Sequence, residues 1–283
     1  MRRILPIVVL VYSVWAQTGN QPQSTPDQTP ASVPATNAQN ANPADDNSRK
    51  AKTLIEQAIA ALGGQTYLTI RDRSQQGRGY GFHHGRAEGG GSVFWDFIVF
   101  PDKERVEITK ERDIAQLYVG DKAWEITFKG PHPLDPKDLD QYLRRRHFSL
   151  DSVLRTWLNA PGAILLYEGN SIAAQHPAQR VTVINAQNES VTLFFDDDTH
   201  LPVKKSFEWR DPVDRQKNLE EEIYENYRQA SGIMAPYNVT RYFNGDMASQ
   251  RFFNSVTINE GLDPAMFDPN SGYNPNKPSK TKK

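Results

Sequence analysis

The chain has 283 residues, a formal net charge of −1 and no cysteine. The lack of cysteine excludes disulfides, thiolate metal sites, thiol nucleophiles and the lipid-modified cysteine that anchors bacterial lipoproteins. The near-zero net charge gives no global attraction to nucleic acid or to acidic surfaces. Apolar residues make up 37% of the chain, a low share that polar segments at both ends of one folded unit explain.

The first residues predict an export signal. Two arginines at positions 2 and 3 precede an apolar stretch over 4–15. Ala16 fits the small-residue cleavage rule, so we expect a periplasmic mature chain that begins near Gln17. The apolar stretch is shorter than the ~20 residues that span a bilayer, so no stable membrane insertion is expected, with an uncleaved anchor as the alternative.

Polar segments flank the predicted domain. Residues 17–47 are rich in Gln, Pro, Thr, Asn and Ala, and residues 270–283 are also polar and contain four lysines. Such segments cannot bury enough apolar surface to offset the entropy lost on ordering. We therefore predict a disordered linker over 17–47, a folded domain over 48–269 and a disordered basic tail over 270–283.

A helix opens the predicted domain. Apolar residues recur at helical spacing from Ala51 to Leu62, which gives the helix one apolar face. Asn47 or Ser48 can cap its first turn, and the glycine pair at 63–64 can end it, because glycine adopts the left-handed conformation without strain.

Beyond this helix the apolar period changes to two, which is typical of antiparallel sheets that face water on one side. Turn signals such as Gly120-Asp121 and Asn244-Gly245 favour tight hairpins, which need positive φ. Residues 219–227 fit a helix or a strand, and the neighbouring strands favour a strand. The pattern predicts roughly ten or eleven strands. Their main apolar faces are Trp95, Phe97 and Val99; Trp124, Ile126 and Phe128; Val191, Leu193 and Phe195; and Phe207 and Trp209.

Helices are predicted to interrupt the strands over 136–159, where apolar residues again follow helical spacing. Ser149 can cap the second of them, and the Pro-Gly pair at 161–162 can stop it. No alternation of strands with helices occurs elsewhere, which disfavours a parallel-sheet enzyme. The predicted fold class is α+β, mainly antiparallel β.

The sequence lacks the common signatures of chemistry. It contains no phosphate-binding loop, no dinucleotide glycine pattern and no Gly-x-Ser-x-Gly elbow. Neighbouring residues of a strand point to opposite faces, so His83-His84 is not expected to chelate one ion. The acidic run at 196–198 lacks calcium-loop spacing and is predicted to be a solvated turn. The three arginines at 144–146 are predicted to be a solvated helix face, with lipid headgroups or an acidic partner as alternatives. No cofactor, metal or nucleic acid is predicted.

Six short segments occur in a characteristic order. They are Ala61–Gly64, Val119–Trp124, Phe195–Val203, Gly232–Pro236, Tyr242–Gly245 and Phe267–Pro269. In this order they resemble the LolA/LolB-like superfamily of periplasmic lipoprotein carriers. The resemblance implies an unclosed antiparallel barrel with helices that plug or lid its concave face, and a cavity that shields acyl chains from water.

The first functional hypothesis is therefore a non-enzymatic periplasmic carrier for acyl chains of lipids or lipoproteins, with a transient envelope protein partner. Residues that share an apolar strand face are the predicted cavity lining, and the segment 150–158 is the predicted lid. The lining residues are Trp95, Phe97, Trp124, Ile126, Leu193, Phe195, Phe207 and Trp209, and the lid residues are Val153, Leu154 and Trp157.

Two other hypotheses remain open. A structural or interaction protein of the cell envelope would fill the concave face with its own side chains and leave no ligand cavity. An enzyme with a site assembled from distant residues would require a strongly perturbed carboxylate or histidine in a cleft.

Overall fold

The computed structural model describes residues 43–276. The predicted export signal, its cleavage site and most of the predicted linker lie outside the described residues, as do the four lysines of the tail. The described helices are α1 (Pro43–Leu62), α2 (Gln65–Leu68), α3 (Pro136–His147), α4 (Leu150–Arg155) and the 3-10 helices Trp157–Asn159 and Pro264–Phe267.

Fourteen strands form one antiparallel sheet within the described residues. They are β1 (Asp72–His83), β2 (Arg86–Ala87), β3 (Ser92–Val99), β4 (Lys103–Ile108), β5 (Ile114–Val119), β6 (Lys122–Thr127), β7 (Gly130–Pro133), β8 (Ile164–Ala173), β9 (His176–Ile184), β10 (Ser190–Asp196), β11 (Pro202–Arg210), β12 (Lys217–Ala230), β13 (Ile233–Phe243) and β14 (Asp246–Ile258).

The first long strand joins the two halves of the sheet. The strand order is β7-β6-β5-β4-β3-β1-β14-β13-β12-β11-β10-β9-β8, with β2 paired to β1 off this path. Strands β7 and β8 end the path and do not pair with each other, so the barrel is unclosed and the predicted fold class is confirmed. The strand count exceeds the predicted ten or eleven because β2 and β7 are too short, and β1 too polar, to show apolar alternation.

Local signals placed several element ends correctly. Gly120 has φ of 62° between β5 and β6, and Asn244 and Gly245 have φ of 51° and 87° between β13 and β14. Ser149 caps α4 by accepting a hydrogen bond from the Ser152 amide at 3.1 Å. Residues 219–227 lie in strand β12, as their β neighbours favoured.

Helix α1 begins earlier than predicted and packs on the sheet. Its apolar face is buried against β8, β9 and β13. Asn47 does not cap the helix but lies inside it, and its side chain donates to the Tyr167 carbonyl and accepts from the Tyr167 amide, both at 2.8 Å. A tertiary contact with edge strand β8 thus replaces the local cap that the sequence predicted.

The inserted helices contact both halves of the sheet. Tyr142 of α3 stacks on Tyr118 of β5 with 3.5 Å between ring centroids. Phe148, which follows α3, stacks on Phe207 of β11 at 4.4 Å. Helices α3 and α4 therefore bridge strands that are far apart in the strand order, and they roof the space between them.

The opposite face of β3–β6 is covered by the C-terminal segment. Met266 and Phe267 form a buried cluster with Leu117. Arg105 donates to the Met266 carbonyl at 3.2 Å, and its guanidinium lies 4.8 Å from the Tyr273 ring. The packed part of the chain therefore extends beyond the predicted domain boundary at residue 269.

Candidate functional site

A cavity of about 720 Å³ lies between the sheet and the inserted helices. Its floor is formed by β1, β3, β4, β5 and β12–β14, and its roof by α3 and α4, with the end of α1 and α2 at one side. The cavity therefore occupies the concave face on which the predicted fold places a ligand.

Part of the cavity wall is apolar. These side chains come from both halves of the sheet and from the helices, whereas β1 itself contributes Arg73 and Gln75 to the lining. They are Leu62, Leu68, Ile70, Ile98, Phe100, Val106, Leu143, Leu150, Ile233, Met234, Val239 and Phe253.

Most of the other lining residues are charged or are tyrosines, which the sequence did not predict. Eight basic side chains line the cavity against four acidic ones, so the lining is cationic by formal charge. The basic residues are Arg71, Arg73, Lys103, Arg145, Arg146, Arg155, Arg241 and Arg251; the acidic residues are Asp96, Glu104, Asp151 and Glu222; and the tyrosines are Tyr67, Tyr118, Tyr142, Tyr224 and Tyr227.

Two acidic residues of the cavity are held by ion pairs. Asp151 of α4 lies 3.0 Å from Arg73 of β1, which ties the roof to the floor. Glu222 lies 3.0 Å from the buried Lys205 and accepts a hydrogen bond from Tyr224 at 2.7 Å. Burial raises the pKa of Glu222, but Lys205, Tyr224 and Arg241 outweigh burial and lower it to about 2.

Asp96 is in the opposite situation. It is 2% exposed, and burial together with the neighbouring Glu104 carboxylate raises its pKa to about 7, against the influence of Arg251 and Arg73. A neighbouring carboxylate disfavours ionisation of a buried one, so Asp96 keeps its proton to a higher pH than a free aspartate does. The cavity thus contains the perturbed carboxylate that the enzyme hypothesis requires.

Arg145 faces the cavity without an anionic partner. No hydrogen bond and no ion pair within 4 Å joins its guanidinium to any residue of the described range 43–276. Burial and the nearby Arg241 lower its pKa to about 10. Arg145 is half-buried and has no ion-pair partner among the described residues, so its guanidinium is available to an anion that enters the cavity.

The predicted solvated arginine face is therefore wrong for all three arginines. Arg144 lies 3.5 Å above the Trp209 ring and 3.1 Å from Glu220, whereas Arg146 donates to the carbonyls of Asp102 and Gly120. Consecutive helix residues point in different directions, so one run of arginines serves three separate environments.

The eight predicted lining residues do not share one cavity. Trp95, Phe97, Trp124 and Ile126 lie on the face opposite the cavity. There the last three pack around Leu117, Met266 and Phe267, and Trp95 lies 5.1 Å from the Arg112 guanidinium. Strand alternation separated the faces of β3 and β6 correctly, but the C-terminal segment covers the face that the aromatic residues occupy.

The other four lie in or beside the main core. Leu193, Phe195 and Phe207 are buried there with the residues of α1 and α4. Trp209 packs against this core and borders a second, more open groove of about 860 Å³. None of the eight lines the 720 Å³ cavity.

The predicted lid residues also point away from the cavity. Val153, Leu154 and Trp157 are buried in the main core and fix α4 to it. The cavity is instead lined by the other side of α4, which presents Asp151 and Arg155. The segment does cover the cavity, but Val153, Leu154 and Trp157 attach it to the core, and the side that carries Leu150, Asp151 and Arg155 forms the roof.

The sequence does contain a signal for one of the cavity residues that were not predicted. Asp96 interrupts the apolar run of β3 between Phe94 and Ile98, and such a residue is either solvated or part of a site. Nothing local distinguishes Arg145 from Arg144 and Arg146.

Within residues 43–276, no group of three or more His, Asp or Glu side chains is placed to hold a metal ion. None of the helices described over the same range is both long enough and apolar enough to cross a bilayer.

No protein-family model matches this chain, and no curated protein matches it in sequence. Solved structures do resemble it. A DUF1329 family protein from Desulfovibrio piger superposes with a TM-score of 0.54 at 12% identity, covering 77% of this chain and 97% of that one. A putative outer membrane lipoprotein-sorting protein domain from Vibrio parahaemolyticus gives 0.52 at 10% identity, covering 78% and 97%.

A LolA superfamily protein from Nitrosomonas europaea gives a TM-score of 0.46 at 15% identity, covering 77% of this chain and 97% of that one. The two TM-scores above 0.5 establish a shared fold, at sequence identities of 10–12%. The resemblance that the sequence motifs indicated is thus confirmed for the architecture, an unclosed antiparallel barrel with helices on its concave face.

Proposed function

We propose that this chain is a non-enzymatic carrier that binds an acyl chain of a lipid or lipoprotein in the concave cavity. The observation that carries the proposal is the 720 Å³ cavity, to which both halves of the sheet and the helices contribute apolar side chains. This volume falls within the range of about 300–1,000 Å³ typical of small-molecule sites. Burial of each methylene in such a cavity contributes ~0.8 kcal/mol.

The cavity also argues against the filled-core alternative. A structural protein whose helices filled the concave face would leave room for a few waters at most. Here the roof helices are anchored through Phe148, Val153 and Trp157 at one side of the sheet, and the space beside them stays open.

The raised pKa of Asp96 does not require catalysis. Two carboxyl groups brought together by adjacent strands have this property whenever they are buried, and Tyr142 donates to Glu104 at 3.0 Å in the same cluster. Burial and the neighbouring carboxylate account for the raised pKa of Asp96, so the proposed function assigns no reaction to the pair.

The fold and the sequence add two supports. A putative lipoprotein-sorting domain has the same architecture, and the predicted export signal would place the chain in the periplasm. A carrier there exchanges its load with membranes or envelope proteins, so a transient protein partner belongs to the proposal.

The test is native mass spectrometry of the exported full-length protein, followed by titration with a fluorescent C16 fatty-acid analogue. Val239 lines the cavity from β13, and Val239→Trp should reduce binding of the analogue at least tenfold by occupying its volume. Val213→Trp is the matched control, since Val213 is 90% exposed in the turn between β11 and β12. Unchanged binding by a folded Val239→Trp protein, or no binding by the wild type, would overturn the proposal.

A further inference from the structure

Three arginines meet at one end of the cavity. Arg145 comes from α3, Arg241 from β13 and Arg251 from β14. Val239 pairs with Arg251 across β13 and β14, so Arg241 is two residues along the same strand and shares its face. Arg241 and Arg251 both act electrostatically on Arg145 and disfavour its charged form.

The acidic residues near this cluster are already occupied. Glu220 lies 3.1 Å from Arg144 and 3.4 Å from Arg241. Glu222 forms ion pairs with Lys205 at 3.0 Å and with Arg241 at 3.9 Å. Each of these carboxylates is therefore shared between two cations.

The remaining arginines have less compensation. Arg251 lies 3.6 Å from Asp96, and burial together with the nearby Glu104 carboxylate favours the protonated form of Asp96. Arg145 has no such partner among the described residues. The cluster consequently carries positive charge that the protein itself does not neutralise.

We propose that Arg145, Arg241 and Arg251 form a subsite for the anionic headgroup of an amphiphile, a phosphate or a carboxylate. A guanidinium binds such oxygens in a bidentate manner and in a partly buried setting gives strong, charge-assisted hydrogen bonds. An anion here would supply the partner that Arg145 lacks. The inference rests on the proposed function, since it names the class of ligand for the same cavity.

The position of the apolar wall orients this ligand. On β13, Val239 lies two residues from Arg241 and opposite Arg251, and on β14 Phe253 lies two residues beyond Arg251. A headgroup at the arginines therefore leaves an attached chain facing Phe253, Ile233 and the apolar roof residue Leu150. The arginines thus suit the anionic headgroup of an amphiphile, and the apolar residues beside them suit its chain.

The experiment compares four probes by isothermal titration with the exported full-length protein. Hexadecyl phosphate and palmitate carry an anionic head, hexadecanol has the same chain without a charge, and inorganic phosphate has the charge without a chain. Wild type should bind both anionic amphiphiles about 10- to 100-fold more tightly than hexadecanol, the range expected for hydrogen bonds to a charged group.

Arg145→Gln should remove most of this difference and leave hexadecanol binding unchanged, while Arg145→Lys should retain part of it. Lys137→Gln is the matched control, because Lys137 lies on the same helix and is exposed. Thermal unfolding should show no loss of stability for Arg145→Gln, since Arg145 has no partner to lose.

The outcomes separate the two proposals. Equal affinity for hexadecanol and hexadecyl phosphate in the wild type, unaffected by Arg145→Gln, overturns the subsite and leaves the carrier intact. Inorganic phosphate that binds as tightly as hexadecyl phosphate, in an Arg145-dependent way, supports the anion site and overturns the acyl carrier. No binding of any probe overturns both.

Discussion

Asp96 of β3 and Glu104 of β4 lie on neighbouring strands, with their side chains on the same face of the sheet. Ile98 is the residue that pairs with Glu104, and Asp96 pairs with Val106, so the two acids are diagonal neighbours on one face of β3 and β4. The pairing of β3 with β4 thus places two acidic side chains next to each other under the inserted helices. A titratable group in the cavity is a direct consequence.

This relationship predicts a pH dependence of stability. Burial and Glu104 raise the pKa of Asp96 to about 7, against about 3.9 in an unfolded chain. Between these values the folded state holds a proton that the unfolded state has released. The contribution of Asp96 is therefore fully present below about pH 4 and is lost as the pH rises through about 7.

Asp96→Asn should remove this dependence, since asparagine cannot ionise. We expect the melting temperature of the variant, relative to wild type, to be higher at pH 8 than at pH 5. Asp140→Asn, an exposed change on α3, is the control and should show no such difference. Differential scanning calorimetry at the two pH values measures the melting temperatures. An equal difference between variant and wild type at pH 5 and pH 8 would contradict the raised pKa of Asp96.

Trp124 is predicted to act on stability and not on ligand binding. Its ring packs under the C-terminal segment with Leu117 and Phe267, on the face opposite the cavity. Because Trp124 is half-buried, Trp124→Ala should cost about 2–3 kcal/mol, below the 3–5 kcal/mol of a fully buried tryptophan. Urea denaturation measures the loss, and reduced affinity of the still-folded protein for a C16 probe would contradict the placement.

Asn47 should be important for docking of α1 on the edge strand. Asn47→Ala removes two hydrogen bonds to the Tyr167 backbone and leaves those groups without their partner, which should cost about 1–3 kcal/mol. Thr53→Ala is the control, because the Thr53 hydroxyl bonds only within its own exposed turn. Equal urea midpoints for the two variants would show that the contact contributes nothing.

Asp196 fixes the turn between β10 and β11. Its carboxylate is buried and accepts from the Thr199 amide at 2.7 Å, the Thr199 hydroxyl at 2.8 Å and the Asp198 amide at 3.2 Å. Asp196→Ala should therefore destabilise the protein by about 1–3 kcal/mol, whereas exposed Asp198→Ala should change the free energy of unfolding by less than ~0.5 kcal/mol. Chemical denaturation of both variants compares them directly.

Much of the architecture could be predicted from the residues alone. The helical spacing from Ala51 to Leu62, the inserted helices over 136–159 and the hairpin turns at Gly120 and Asn244 all appear where the sequence places them. These features depend on contacts between residues close in the chain, or on backbone conformations that few residue types adopt. Strand β1 was harder to predict because it is built largely from polar residues and glycine.

The site could not be predicted in the same way. Alternation shows that Trp95 and Phe97 point to one side of β3 and Asp96 to the other, but not which side faces the helices. That choice depends on residues 264–273 returning to cover the aromatic side of the strand. The same limit applies to α4, whose apolar face indicated contact with a ligand but instead attaches the helix to the core.

The sequence by itself determined most of the secondary structure, the antiparallel class and the two faces of the apolar strands, because these follow from the periods of the backbone and from local turn geometry. Only the tertiary structure decided that the cavity is lined by Asp96, Arg145, Arg241 and Arg251. These residues lie on four separate elements, and they meet because β1 pairs with β14 and α3 crosses the junction. Contacts between residues so distant in the chain leave no local pattern, so they emerge only when the sheet is assembled.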